Sequence, residues 1–265
     1  MESPRHCRAG PRLVWRSLTL EGCPALLNRS LKPEERYARR MARIARWDRP
    51  LESGWDRARA WVNMLLVDHG VFRLAYLNLH RVTPQFWRSA QPAPGDIGRL
   101  AAAGLRTVVN LRGGREHGSW PLEREACATH GIALVDFVVR SRGAPERDTV
   151  LAAAELFAGL TYPALVHCKS GADRAGFMAA LFLLIHENRP LDEALAQLDL
   201  RYGHFRFAKT GILDAFFERY GAEGEAKGLT FLDWVRDVYD PEALARDFKP
   251  HAFSDFVVDR LLKRE

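Results

Sequence analysis

A chain of 265 residues, 47% hydrophobic and 27% charged, has the composition of a globular protein and the length for one domain with appendages. Its formal charge of +6 is uneven: residues 1–60 hold 14 Lys/Arg against 7 Asp/Glu and the rest hold 25 against 26, so the basic character lies in the N-terminal segment. Four scattered cysteines, Cys7, Cys23, Cys127 and Cys168, form no C-x-x-C pair, which argues against a disulfide framework or zinc knuckle and for a reducing compartment.

Residues 1–33 carry Pro and Gly without periodicity and read as a mobile arm. Basic residues here are not interleaved with aromatic ones, which argues against nucleic acid as a partner. Two readings of the segment stay open, a solvated arm and a peripheral contact with an anionic membrane. No apolar stretch ends in a cleavage site, and no run reaches the roughly 20 residues of a membrane span. The expectation is a cytoplasmic protein needing no metal or cofactor.

Glu34 to Trp47 reads as a basic helix with Tyr37, Met41, Ile44 and Trp47 on one stripe, ended by Pro50. A second helix is expected from Gly54 to Asp68, with Trp55, Trp61, Val62, Leu65 and Leu66 as its apolar positions. These helices read as a cover on the core or as an interfacial membrane helix with Trp anchors. From Phe86 a helix–Gly–strand juncture recurs: Leu100 to Gly104 then Leu105 to Leu111, Glu125 to Gly131 then Ile132 to Val139, and Leu151 to Gly159 then Ala164 to His167. Short Val-rich strands of this kind predict an α/β fold, a mostly parallel central sheet flanked by helices and buried on both faces. Pro94, Pro121 and Pro145, each followed by an acidic residue, mark helix starts. Phe177 to Ile185 is apolar all round and predicts a central helix. Further helices are expected over Leu191 to Leu200, Gly211 to Tyr220, Phe231 to Tyr239 and His251 to Lys263. The implied organisation is a mobile arm at 1–33, a basic helical segment at 34–79, one domain at 80–240 and a helical extension at 241–265.

Chemistry concentrates in Val166-His167-Cys168-Lys169-Ser170-Gly171-Ala172-Asp173-Arg174-Ala175-Gly176, read as strand, tight loop and helix. A free thiol titrates near 8.5, and a helix N-terminus or nearby cation lowers that to about 3.5–7.5. Cys168 has both, with Lys169 and Arg174 close by. Successive N–H groups from Lys169 to Arg174 form an anion nest, Gly171 lets the backbone curl, and Arg174 grips two phosphoryl oxygens at once. That set suits a thiolate attacking phosphorus, a phosphocysteine intermediate and its hydrolysis.

HCKSGADRAG resembles the HCxxGxxR signature of the cysteine-dependent protein tyrosine and dual-specificity phosphatases. Trp87-Arg88-Ser89-Ala90-Gln91-Pro92 resembles the RSAQP entry of their bacterial dual-specificity-like branch, and Val109-Asn110-Leu111-Arg112 its NLR strand end. The resemblance covers roughly residues 80–220 and implies a metal-independent phosphomonoesterase on an α/β sheet. Cys168 is then the nucleophile, Arg174 the phosphate clamp, and Lys169, Ser170, Gly171, Ala172 and Asp173 the loop donors. Two departures stand out. Ala175 replaces the Ser or Thr that helps the thiolate leave, a role open to Ser170. The loop Arg140-Ser141-Arg142-Gly143-Ala144-Pro145 carries no carboxylate, which leaves three candidates for the general acid: Asp173, which the resemblance to family members of the form CxxGxDR implies, Asp136, 32 residues before Cys168, and Asp148.

His167 reads as a holder of the loop backbone, and Arg88, Arg112, Arg140 and Arg142 as candidates for positive potential at the mouth. Cys127 is a bystander or a redox partner of Cys168. The implied substrates are phosphotyrosine, or Tyr and Ser/Thr phosphates both. The alternatives are a phosphoinositide or other lipid or sugar phosphate, which Lys169, Asp173 and the basic arm favour, and a catalytically weak phosphate-binding module.

Overall fold

The computed structural model describes residues 32–249. Cys7, Cys23, most of the expected arm and the helix expected over 251–263 lie outside the described residues, and the compact unit begins at Arg40. In chain order the elements are α1 (Pro33–Trp47), α2 (Gly54–Val62), a π-helical turn (Asn63–Val67), α3 (Gly70–Ala75), β1 (His80–Arg81), β2 (Phe86–Ala90), α4 (Pro94–Ala102), β3 (Thr107–Asn110), α5 (Ser119–Thr129), β4 (Ala133–Asp136), α6 (Arg147–Gly159), β5 (Ala164–Cys168) and α7 (Asp173–Ile185). Four shorter helices follow: α8 (Leu191–Leu195), α9 (Ile212–Glu223), α10 (Phe231–Asp237) and α11 (Pro241–Asp247).

The five strands lie in the order β1-β2-β5-β3-β4, antiparallel only between β1 and β2. The mostly parallel sheet expected from the Val-rich runs is present. β2, β3 and β5 are buried along their whole length, whereas β4 is an edge strand and half exposed, unlike the expectation of burial throughout. The register aligns Ala90 with Cys168, and Asn110 with both His167 and Asp136. The carboxyl ends of four strands therefore meet along one rim, where parallel α/β sheets place their sites.

Side-chain alternation divides the core between the two faces of the sheet. Phe86, Val109, Val166 and Cys168 pack on one face with α6, α7 and α9. Trp87, Val108 and Leu165 pack on the other with Ile97, Leu100 and Cys127. The α7 side chains Phe177, Met178, Leu181 and Phe182 are fully buried, as an all-apolar helix requires. Each large apolar side chain so buried contributes about 1.5–3 kcal/mol.

Segment 40–79 belongs to this body. Trp47, Ala60 and Met64 form a third cluster with Ala93 and Leu122. Gly118 sits directly on α2, where an added Cβ would lie 2.3 Å from the Ala60 carbonyl oxygen, and its N–H donates to Asn63 Oδ1 at 2.7 Å. The helix expected to continue to Asp68 changes to π geometry after Val62. Of its expected apolar positions, Trp61 and Leu65 pack against this cluster beside Ala60 and Met64, while Trp55, Val62 and Leu66 are exposed.

Candidate active site

β5 delivers Cys168 to the sheet rim and α7 begins five residues later. The loop between them is shaped by three carbonyls pulled away from its concave side. Asn78 Nδ2 donates to the Ser170 carbonyl at 3.0 Å, and the Arg88 guanidinium donates to the carbonyls of Gly171 at 2.9 Å and Ala172 at 2.8 Å. In a trans peptide the C=O and the following N–H point in opposite directions. Holding these oxygens back therefore turns the N–H groups of Gly171, Ala172 and Asp173 forward. The first of them already donates to Cys168 Sγ at 3.2 Å. The N-cap residue of α7, Ala172, has no side chain to cap the helix, and its first turn opens at the loop, a position that favours an anion. Gly171 has φ +76°, and a Cβ there would lie 2.5 Å from the Ala90 nitrogen, so the curl against β2 requires glycine.

Arg88 is thus no contributor to the mouth. It lies fully buried beneath the loop, also donates to the Gln197 carbonyl at 2.6 Å, and stacks over the Tyr202 ring at 4.1 Å. Burial lowers its pKa to about 10, still cationic at neutral pH.

Beside the loop lies an open cleft of roughly 220 Å³ lined by Arg112, Gly114, Glu116, His117, Lys169 and Arg174. Arg112, expected at the mouth, is there, and so are the expected phosphate ligands Lys169 and Arg174. Cys168 is nearly covered at the base of the loop, 2% exposed. Arg140 and Arg142 do not line this cleft; Arg140 lines a separate depression with Val138, Pro145 and Phe177.

A buried polar chain runs from behind Cys168 to the segment before the sheet. His167 Nε2 lies 2.7 Å from Glu123 Oε1, though not aligned as a hydrogen bond, and both side chains are fully buried. Glu123 Oε2 accepts from Gln91 Nε2 at 2.7 Å, and Arg112 donates to Gln91 Oε1. Arg112 also grips Asp68 bidentately, at 2.7 and 2.8 Å. Asp68, with no exposed surface, further accepts from Arg73 at 2.9 Å and Ser119 at 2.8 Å, and lies 3.9 Å from Lys169 Nζ. Burial alone would raise the Asp68 carboxyl, but Arg112 and Arg73 outweigh it and hold the group far below the usual carboxylate range. Burial lowers Lys169 and His117. Sequence reasoning has Asp68 only as the end of the second helix, and misses Asn78, Gln91 and Glu123 as site residues.

The acid candidates have these positions. Asp173 opens α7, and its Oδ1 lies 2.7 Å from His204 Nδ1, whose Nε2 lies 2.6 Å from Asp214 Oδ2. Burial pushes His204 down, but the two carboxylates prevail and raise it to about 9, so it is cationic at neutral pH. Asp136 sits at the end of β4, accepting from Asn110 at 2.9 Å and Arg115 at 2.8 Å. Asp148 is exposed on the first turn of α6. Ala175 is fully buried among apolar side chains. Cys127 packs on the face of the sheet opposite Cys168, and burial raises its thiol to about 12, which fits the bystander role.

The His204 clamp has a measurable signature. Its pKa is raised on folding, so its stabilisation is full below about 6.5 and is lost as pH rises through about 9. The difference in thermal midpoint between the native chain and His204→Gln is expected to shrink over that window, from a contribution on the order of 3 kcal/mol. A difference constant from pH 6 to 10 would contradict the clamp.

Residues 77–212 match the family described as DSP-PTPase phosphatase fused to NAD+ kinase. Among curated proteins, the dual specificity protein phosphatase TpbA of Pseudomonas aeruginosa PAO1 is 26% identical over 161 residues, 58% of this chain and 63% of that protein. Its counterpart from strain UCBPP-PA14 is 26% identical over 154 residues, 56% of this chain and 61% of that protein. The chain thus spans under two thirds of the length of the curated relatives it matches. The crystal structure of P. aeruginosa TpbA aligns at a TM-score of 0.47 with 20% identity, covering 61% of this chain and 90% of that one.

Proposed function

This chain belongs to the family of DSP-PTPase phosphatases described as fused to NAD+ kinase, and from that premise we propose that it hydrolyses phosphomonoesters through a phosphocysteine, acting on phosphotyrosine or on Tyr and Ser/Thr phosphates of proteins. The supporting observation is the set of three loop carbonyls held back by Asn78 and Arg88, which turns N–H donors toward a phosphoryl group above Cys168. The Cys168 thiolate forms the S–P bond as the P–O bond to the leaving group breaks, with the charge on the equatorial oxygens taken by loop N–H groups and Arg174. Water then attacks phosphorus, the S–P bond breaks, and inorganic phosphate leaves. The catalytic domain proposed is 80–240, with 34–79 a helical segment and 241–265 an extension. A lipid or sugar phosphate is the second reading, favoured by Lys169 beside Arg112 in the cleft. No helix among the described residues is long and apolar enough to cross a membrane.

Asp173 is the proposed proton donor because it is the carboxylate within the loop. His204 Nδ1 lies 2.7 Å from its Oδ1 and orients the carboxyl, and a positioned acid contributes about 10²–10⁴-fold. The test is turnover of aryl and alkyl phosphates, with acid-quench capture of ³²P-labelled protein. Labelled protein and aryl turnover are expected, and their joint absence defeats the reading. Asp173→Asn is expected to slow alkyl esters far more than aryl ones. An equal loss on both makes Asp173 a positioning residue, and a selective alkyl loss in Asp136→Asn alone moves the donor there.

A further inference from the structure

Residues 62–79 are built inside out. Their polar side chains Asp68, Arg73 and Asn78 are buried against the phosphate loop and cleft, while most of their large apolar side chains, Met64 and Leu65 apart, face solvent. Leu66 is 70% exposed, Phe72 72% and Tyr76 62%, with Val62, Val67 and Val71 each more than half exposed. Gly70 brings the two halves of this segment together, since a Cβ there would lie 2.6 Å from the Met64 carbonyl oxygen. α3 therefore packs on the π-helical turn and sets Val71 and Phe72 near Leu66 and Val67. Isolated exposed apolar residues are ordinary, but so many within one short stretch are not.

Charge identifies the occupant. Of the five arginines between residues 57 and 95, Arg73 and Arg88 are buried and Arg57 pairs with Glu125, which leaves Arg59 and Arg81; the one acidic residue of the stretch, Asp68, is fully buried. The outward face of this stretch therefore offers apolar and cationic groups and no carboxylate. Arg59 and Arg81 are exposed, and Trp55, just before the stretch, is 72% exposed. The same segment holds the cleft through Asp68, which pairs with Arg112 and lies near Lys169, so the apolar face and the cationic cleft share one scaffold. Apolar side chains with a basic fringe and aromatic anchors match the boundary of an anionic bilayer.

We infer that residues 62–79 dock the protein on an anionic phospholipid surface, which holds the Arg112, Lys169 and Arg174 cleft beside that surface. The inference goes beyond the phosphatase reading of the cleft.

The full chain is sedimented with phosphatidylcholine vesicles, with and without phosphatidylglycerol, and assayed in parallel on a soluble aryl phosphate. Binding to the phosphatidylglycerol vesicles is expected to weaken at least tenfold in the Leu66→Ser/Phe72→Ser variant, with aryl turnover unchanged. Val67→Ser/Val71→Ser, measured the same way, guards against a folding defect in the first pair. Failure of the native chain to sediment with phosphatidylglycerol vesicles overturns the inference, as does binding by both variants as tight as that of the native chain. A dimer on gel filtration that the variants lose, without vesicle binding, assigns the face to a second copy instead. Vesicle binding without any aryl turnover defeats the phosphatase reading and leaves the docking surface standing.

Discussion

Cys168→Ser is expected to abolish phosphate ester hydrolysis, by roughly 10⁴-fold or more, while leaving the protein folded and able to bind phosphate. The reasoning is local. Cys168 is 2% exposed at the end of β5, and the only hydrogen bond its sulfur makes among those described is from the Gly171 N–H. A serine hydroxyl fills the same space and accepts the same bond, so the strand and loop have no reason to move. What is lost is the nucleophile, because a serine hydroxyl is not ionised at neutral pH. The proposed donors to the phosphoryl group are backbone N–H groups and Arg174, which the substitution does not touch. Arg174→Lys is expected to differ in kind: the thiolate stays, but a point charge replaces a two-pronged donor, and turnover falls about 10²–10³-fold with weaker phosphate binding. Turnover of an aryl phosphate and calorimetric binding of inorganic phosphate separate the two. More than one percent residual turnover in Cys168→Ser would exclude it as the nucleophile.

The loop could be read from sequence because its information is local. A strand, a cysteine, a glycine, an arginine five residues on and an apolar helix all fall within one short window, and the structure assembles them in that order. The residues that shape the loop were not legible in the same way. Arg88 reads from sequence as a candidate for positive potential at the mouth, since nothing local marks its stretch as a central strand, yet β2 lies beside β5 and buries it completely. Periodicity placed Trp55, Val62 and Leu66 on a buried stripe, whereas close approach of Gly118 to Ala60 selects the small face of α2 as the packed one. His204 and Asp214 carried no signal at all, since their meaning comes from a bridge to Asp173 that only the fold creates. Asp68 is the sharpest instance: its main partner, Arg112, lies 44 residues away.

Asp68→Asn is expected to destabilise the protein by about 3–5 kcal/mol, because it leaves Arg73 and Arg112 buried without a countercharge. For a chain of this size that corresponds to a fall in thermal midpoint of roughly 10 °C. The amide keeps the carboxylate's shape, so the cost comes from charge and from the acceptor sites that Arg112, Arg73 and Ser119 now use. Arg112 and Lys169 lose the group that holds them at the cleft, so KM for phosphate esters is expected to rise about tenfold or more while kcat changes less. The pH dependence has a definite sign. The folded carboxyl titrates well below its ordinary value of 3.8, so its stabilisation is present above that value and is lost as pH falls beneath it. The native chain should therefore lose stability steeply in acid, and the Asp68→Asn chain less so over the same range. Pairing the change with Arg112→Gln removes the stranded charge as well as its partner, and the two costs are expected to fall short of additivity by about 0.5–3 kcal/mol. Strict additivity, or an acid profile unchanged by Asp68→Asn, would show that Asp68 does not anchor the cleft.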